Sequence, residues 1–325
     1  MINAKITGIG GYIPEKVYDN AYMESIVDTN DEWIVRRTGI KERHISADDE
    51  YTTDMAVKAS EKALENAGLK AEELDLIMLA TVTPDYFTPA CACVVQSKIG
   101  AVNAAAFDYN AACSGFVTGL TIAKQFIETG MYKHILVVCA DVLSKAVDYK
   151  DRATCVLFGD AAGAAIVSAS EETGIIATDI GADGTGSDAI TSLAYRNDDE
   201  EIEKRVSHRK DTIWMAGQAV MKFAVKTMAE ASAKVIEQAG LTWDDIALVV
   251  PHQANYRIVD SAIKRMGITE DKVFLNLEKY GNTSASCIPV SLCQAVEQGR
   301  IKKGDKIVLV GFGGGLTWGA ALLEW

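Results

Sequence analysis

The sequence predicts an α/β protein built of two duplicated halves, and three observations predict it. "ALENAGLKAEELDLIM" at 63–78 matches "VIEQAGLTWDDIALVV" at 235–250 without a gap, a displacement of 172 residues. The same displacement carries "ILVVCAD", which begins at Ile135, onto "IVLVGFG", which begins at Ile307. These apolar runs are continuous rather than alternating, the pattern of strands buried on both faces.

Taken in order, a first helix over Asp54 to Asn66 closes at Gly68, passes through an acidic turn and enters a β-rich run. The second half repeats this with a helix over Val220 to Gln238, closed at Gly240. The boundary falls near "SASEETG" at 168–174, which divides the chain into halves 1–172 and 173–325. The charged stretch "RNDDEEIEKRVSHRKD" at 196–211 reads as a solvated loop insertion in the second half.

With 325 residues, 49% of them hydrophobic, the chain is long enough to bury a full core. A formal net charge of −13 argues against broad binding to nucleic acid or to an anionic membrane, because the long-range field repels polyanions. The opening "MINAKITGIGGYIP" has no basic segment leading an apolar stretch to a cleavage site, and no apolar run reaches the roughly 18 residues of a membrane span. A cytoplasmic protein is expected.

Seven cysteines without a C-x-x-C pair fit neither a disulfide framework nor a structural zinc site, so most are expected to be small buried hydrophobes. Cys91 and Cys93 are expected to point to opposite faces of a strand. No metal site is expected.

Cys113 stands in "NAACSGF", where a strand ends and a helix begins. Free backbone N–H donors and the positive end of a helix dipole favour thiolate at such a place, which is how a nucleophile is made. Small neighbours would let an acyl carbonyl approach those donors. The default reading of a cysteine in an Ala-rich stretch is nevertheless a buried structural thiol, so the case rests on its companions.

There are three. His252 follows the strand "IALVV" in "PHQAN", at the carboxyl end where α/β sheets present functional residues, whereas His44, His134 and His208 read as surface groups. Asn282 lies in "YGNTSAS", 172 residues after Asn110, and offers an amide, its ordinary role being a helix N-cap. "GFGGGLTWG" at 311–319 supplies a glycine turn that presents its own N–H donors, without completing a nucleotide-binding fingerprint.

"NAACSGF", "PHQAN", "YGNTSAS" and "FGGGLTWGAAL", together with "NDEWIVRRTGIKERH", "DRATCVLFGDAAGAA" and "MAGQAV", resemble the β-ketoacyl-acyl-carrier-protein synthase III family of the thiolase superfamily. The resemblance spans nearly the whole chain and implies a thiolase-like αβαβα sandwich of two duplicated halves, usually a homodimer. It implies transfer of an acyl group from coenzyme A to cysteine, then decarboxylative condensation with malonyl-acyl-carrier protein at the start of fatty-acid synthesis. Acyl-CoA is a substrate, and no cofactor is implied.

Carried over residue by residue, the resemblance makes Cys113 the nucleophile and the backbone N–H groups of Cys113 and Gly314 its oxyanion hole. His252 and Asn282 would donate to the malonyl thioester carbonyl and stabilise the enolate. Trp33, Arg37, Arg152 and Asn255 would hold coenzyme A. Alone, they would read as a part-buried tryptophan and solvated polar groups.

The segment Ala254 to Met266 turns Ile258, Val259, Ala262, Ile263 and Met266 inward at helical spacing, leaving Arg257, Lys264 and Arg265 outward. With Lys222 they match basic positions that dock the acidic carrier protein, and are otherwise a solvated helix face. The family's acyl-pocket gate, contributed across the dimer, falls on Thr88 when "YFTPACACVVQS" is aligned on Pro89, or on Phe87 with a one-residue shift. A small gate predicts a roomier pocket for longer or branched primers.

Two other readings stay open: a condensing or acyl-transfer enzyme of secondary metabolism, and a non-catalytic subunit that binds carrier protein. A degradative thiolase is disfavoured, because Cys287 and Cys293 precede the terminal Gly-rich strand. Primer chain length, the pathway, the oligomeric state and the acidity of Cys113 are left open by the sequence.

Overall fold

The structure, a computed structural model, describes residues 2–192 and 212–325. The stretch 196–211 and His208 lie outside the described residues. Strand β1 (Asn3–Tyr12) is followed by a two-stranded ribbon, β2 (Lys16–Asp19) with β3 (Glu42–Ile45), that brackets helices α1 (Asn20–Ile26) and α2 (Asp31–Thr38). Helix α3 (Thr52–Ala67), β4 (Leu76–Ala80), α4 (Cys91–Ile99), β5 (Ala105–Tyr109), α5 (Gly115–Glu128), β6 (His134–Asp141) and β7 (Ala161–Ser170) follow. They complete a five-stranded sheet of order β1-β7-β6-β4-β5.

The chain then lays down β8 (Ile175–Ala182), the small pair β9 (Ile190–Thr191) and β10 (Trp214–Met215), α6 (Gly217–Gln238), β11 (Leu248–Pro251) and α7 (Tyr256–Met266). Helices α8 (Leu277–Tyr280) and α9 (Cys287–Glu297) lead to β12 (Lys306–Gly313) and β13 (Thr317–Glu324). The second sheet has the order β11-β12-β13-β8. Asn3 and Ile175, Leu76 and Leu248, Gly115 and Cys287, and His134 and Lys306 begin equivalent elements, each pair 172 residues apart.

The offset breaks after β6 and β12. Residues 142–160 connect β6 to β7, whereas a tight turn at 314–316 connects β12 to β13. That long connection exists only in the first half, and it carries Arg152.

Alternation along the strands builds the layers. Leu76, Met78, Ile135 and Val137 face inward onto Phe116, Leu120 and Ala123 of α5, in a core shared with Ile288 and Leu292 of α9 and with Leu248, Val250, Ile307 and Leu309 of the second sheet. Ile77, Leu79, Leu136 and Val138 face the other way, onto α3 and α4. Val249, Val308 and Val310 pack on α6 and α7. The stack is helix, sheet, helix, sheet, helix, and both faces of each sheet are covered, which explains the continuous apolar runs. Gly68 and Gly240 hold φ of 65° and 68° where α3 and α6 end, the left-handed closure expected of them.

Two expectations are corrected. Cys91 and Cys93 lie on a helix rather than a strand: the Asp108 carboxylate accepts from the backbone N–H groups of Cys91 and Ala92 at 2.6 and 2.7 Å and so starts α4. Cys91 is still buried and Cys93 exposed, because residues two apart on a helix also diverge. His44 and His134 are half-buried rather than on the surface, each held through Nδ1, by the Pro14 carbonyl at 2.5 Å and the Ser168 hydroxyl at 3.0 Å. Among the described residues, no helix is long and apolar enough to cross a membrane.

Candidate active site

Two turns related by the 172-residue offset meet between the sheets. At the end of β5, the Asn110 side-chain oxygen accepts from the Ala112 backbone N–H at 3.1 Å, and the chain tightens over Ala112–Ser114 before α5 begins. In the second half, the Asn282 oxygen accepts from the Ser284 N–H at 2.9 Å, and the chain tightens over Ser284–Ser286 before α9. Ala112 and Ser284 hold φ of 45° and 55°, left-handed values that cost a residue bearing a Cβ. Sequence reasoning found the two asparagines and missed this strain, whose only trace is that the two residues are 172 apart.

Cys113 sits in the first turn, half-buried, with Sγ 3.6 Å from Ser284 Oγ of the second. Burial pushes the thiol up to about 12, nearby Asp141 and Cys287 adding to the effect and the Ser284 hydroxyl opposing it. The acidity that the sequence left open is thus set against the thiolate by burial. Donors at a helix start act over one turn, and here desolvation outweighs them.

The glycines of β12 make close approach possible. A Cβ on Gly313 would stand 2.6 Å from the Cys113 nitrogen and 2.9 Å from the Ala112 Cβ. Gly313→Ala is therefore expected to displace the Cys113 turn and to destabilise the fold by about 1–3 kcal/mol, the usual cost of overpacking, read as a lower denaturation midpoint. Among the described residues, the Gly314 backbone N–H has no partner, and the Cys113 backbone N–H acts on that residue's own sulfur.

His252 follows β11 directly. Its backbone N–H donates to the Val310 carbonyl at 2.7 Å, and its ring meets Phe312 edge-on at 5.1 Å. It is 1% exposed, its Nδ1 is buried without a partner, and burial pulls the imidazole down from 6.5 to about 3. The ring is neutral at physiological pH, so it can donate one N–H without carrying charge.

A folded value below the ordinary one means that the unfolded chain takes up the proton first. His252 thus gives full stability above pH 6.5 and loses it as the pH falls toward 3. Going from about pH 7 to about pH 5 is expected to cost about 2 kcal/mol through this residue. The difference should disappear from the unfolding free energy of His252→Gln.

Asn282 is 4% exposed, and its backbone is clamped by the long connection: its N–H donates to Leu157 at 2.8 Å and its carbonyl accepts from Gly159 at 3.0 Å. Its side-chain oxygen is taken by Ser284, and its amide nitrogen has no partner among the described residues. Its ordinary capping role therefore occupies only the oxygen, and the amide nitrogen stays available among the described residues.

A second group gathers nearby. Asn30 caps α2 by accepting from the Trp33 N–H at 2.8 Å, which places Trp33 and Arg37 one turn apart on the same face. The Arg37 and Arg152 guanidiniums stand 5.4 and 5.2 Å from the Trp33 ring. Asn255, which caps α7, donates its amide to the Arg37 carbonyl at 3.0 Å. The fold brings together all four residues that the sequence pointed to, an aromatic face with cations that suits a nucleotide bearing phosphates.

The basic positions divide. Lys222, Arg257, Lys264 and Arg265 are all exposed, but Lys264 pairs with Asp260 at 2.7 Å and Arg265 with Glu230 at 3.1 Å. Among the described residues, Lys222 and Arg257 have no carboxylate partner. Phe87, 69% exposed, and Thr88 stand on the loop before α4, which packs against the edge strand β5.

Comparison with known proteins finds relatives along nearly the whole chain. Residues 107–184 match the model of 3-oxoacyl-[acyl-carrier-protein] synthase III, and residues 236–325 match that of its C-terminal part. The chain is 53% identical to a β-ketoacyl-[acyl-carrier-protein] synthase III of Clostridioides difficile over 322 residues, 99% of this chain and 98% of the relative. It is similar to the crystal structure of 3-oxoacyl-[acyl-carrier-protein] synthase III from Aquifex aeolicus, with a TM-score of 0.92, 46% identity, and coverage of 99% of this chain and 100% of that one. The priming β-ketosynthase of the R1128 polyketide pathway also superposes with a TM-score of 0.92, at 36% identity, over 99% of this chain and 96% of that one.

Proposed function

The chain belongs to the β-ketoacyl-acyl-carrier-protein synthase III family, and from that membership we propose that it condenses an acyl-CoA primer with malonyl-acyl-carrier protein to begin type II fatty acid synthesis. It is an acyltransferase that releases CO2 and coenzyme A and works without a bound cofactor. The higher identity to fatty-acid synthases than to the polyketide priming enzyme favours primary metabolism over the secondary alternative.

One observation carries the assignment of roles: a half-buried cysteine packed against the glycine turn that bears the Gly314 N–H, together with a neutral imidazole at the end of β11 and an amide that has no partner among the described residues. Cys113 takes the acyl group, and the N–H groups of Cys113 and Gly314 hold the oxyanion as the carbonyl becomes tetrahedral. His252 and Asn282 donate to the malonyl thioester carbonyl and stabilise the enolate left when CO2 departs. Neutral donors suit a carbanion equivalent, since a strong acid in the same place would protonate it. Trp33, Arg37, Arg152 and Asn255 receive the nucleotide end of coenzyme A.

The first half, 1–172, thus supplies the nucleophile, and the second, 173–325, the enolate donors. Lys222 and Arg257, which have no carboxylate partner among the described residues, offer positive charge to the acidic carrier protein, with Lys264 and Arg265 flanking them. The protein works in the cytoplasm as a homodimer. The unpaired edge of β5, with Phe107, Tyr86 and Phe87 at 38%, 53% and 69% exposure, supports a second copy pairing there and offering Phe87 or Thr88 as the gate of the neighbouring acyl pocket.

Intact-mass measurement of the protein after incubation with acetyl-, isobutyryl- and hexanoyl-CoA tests the reading. An added acyl mass, removed when malonyl-acyl-carrier protein is supplied, is expected. Loading by the branched or longer primers identifies a roomy pocket. Absence of loading by any of them would sink the proposal.

A further inference from the structure

One buried cation takes no part in these roles. Arg43, on β3, is 1% exposed and has no carboxylate partner among the described residues. Its Nη1 donates to the Tyr18 carbonyl at 3.0 Å and to the Asn20 side-chain oxygen at 2.9 Å, and its Nη2 donates to the Val156 carbonyl at 2.9 Å. Its Nε, also buried, has no partner among the described residues. Burial pulls the guanidinium down to about 10, so it is charged at neutral pH.

The two Nη atoms lead to different parts of the site. On one side, the Asn20 amide donates to the Asp31 carboxylate at 2.8 Å and to the Ile40 carbonyl at 3.0 Å. Asp31 begins α2 and Ile40 lies just beyond its end, so Asn20 grips both ends of the helix that carries Trp33 and Arg37.

On the other side, Val156 belongs to the long connection of the first half, on which Arg152 also stands. The next residue, Leu157, accepts from the Asn282 N–H at 2.8 Å, and Gly159 donates to the Asn282 carbonyl at 3.0 Å. The Arg43 stem lies against this same turn. A Cβ on Gly159 would stand 3.3 Å from the Arg43 Cβ, and one on Gly281 would stand 3.4 Å from it.

We propose that Arg43 is a positioning residue that couples the coenzyme A face on α2 to the Asn282 amide, by holding Asn20 and Val156 with one guanidinium. The proposal rests on the roles given above to Trp33 and Asn282. Arg43 is buried away from substrate and acts only through these neighbours.

The choice of residue follows from the geometry. A guanidinium is planar, so the directions of its two Nη atoms are fixed relative to one another, and the two segments they hold are fixed with them. Hydrogen bonds from a charged donor are stronger than neutral ones, and a buried cation that loses its acceptors is costly. Neither segment can therefore shift alone without leaving that charge poorly satisfied.

Arg43→Met, which keeps the stem and removes the fork, tests the coupling through two readouts on protein shown to be folded by circular dichroism. The first is the acetyl-CoA concentration that half-saturates acyl loading, followed by intact mass. The second is CO2 release from malonyl-acyl-carrier protein by enzyme that is already acylated. The half-saturating concentration is expected to rise about tenfold with the maximal loading rate within about twofold of wild type, and CO2 release to fall about tenfold, as for members of one hydrogen-bond network. Neither change should multiply with loss of the residue being positioned. Added to Trp33→Ala, Arg43→Met should shift the half-saturating concentration by less than about twofold, and added to Asn282→Ala it should shift CO2 release by less than about twofold.

Asn20→Ala cuts only the branch to α2, and it decides the matter if Arg43→Met does not fold. It is expected to raise the half-saturating acetyl-CoA concentration several-fold and to leave CO2 release at the wild-type rate. A merely structural loss would move both readouts together in Asn20→Ala and would multiply in the double variants, and either result overturns the coupling. So does a change in only one readout, or in neither, for Arg43→Met. If Trp33→Ala or Asn282→Ala alone leaves its own readout unchanged, the role of that residue in the condensation is what fails, and the coupling built on it falls for that separate reason.

Discussion

Cys113→Ala is expected to form no acyl-enzyme with any acyl-CoA and to lower condensation by a factor on the order of 10⁴ to 10⁶, the loss seen when a nucleophile that works with partner groups is removed. Its fold should persist. The residue is half-buried in a turn whose backbone is held by the Ser114 N–H donating to Ala111 at 3.2 Å and by the Ala112 N–H donating to Asn110, none of which uses the sulfur. Intact mass and a carbon dioxide release assay on the same sample separate the two halves of the reaction. Acyl mass on the alanine variant would place the nucleophile elsewhere, and Cys139, Cys155, Cys287 and Cys293 are poor candidates because they are buried, whereas Cys113 is half-buried.

His252→Ala and Asn282→Ala are expected to divide the reaction the other way. Acyl loading should remain close to wild type, because neither side chain supplies the oxyanion hole around Cys113. Decarboxylation and condensation should each fall about 10²- to 10³-fold, since one donor to a developing oxyanion is typically worth about 3 to 4 kcal/mol. The double variant should lose less than the product of the two, because both donors address one oxygen and the first removal already exposes it to water. Loss of loading equal to the loss of condensation in His252→Ala would show that the imidazole serves the thiol rather than the enolate.

The reach of the sequence differs from one residue to the next. The repeat at 63–78 and 235–250 was legible because equivalent helices, turns and strands keep their spacing when both copies must cover a sheet on two faces. Cys113 and His252 could be singled out because each follows a strand end, which can be read from apolar runs, whereas Asn282 follows the short helix α8 and was reached through its offset from Asn110. Cys91 and Cys93 were misread because the signal that starts their helix, the Asp108 carboxylate, comes from further along the chain. The strained contact of Ser284 with Cys113 was missed because a serine in "NTSAS" looks like an ordinary turn residue.

Pattern and spacing alone were enough to establish the duplicated α/β layering, the two facing turns and the chemical types gathered there, since these depend on periodicity and on residue identity. Folding in three dimensions settled the protonation of the site. The same helix start that favours a thiolate is buried deeply enough to hold Cys113 up near 12, and His252 is buried deeply enough to stay neutral down to about 3. Desolvation depends on every atom packed around a group, and those atoms come from both halves of the chain. It also decided which cations are paired, because Asp260 and Glu230 neutralise Lys264 and Arg265, while Arg257 and Lys222 have no carboxylate partner among the described residues.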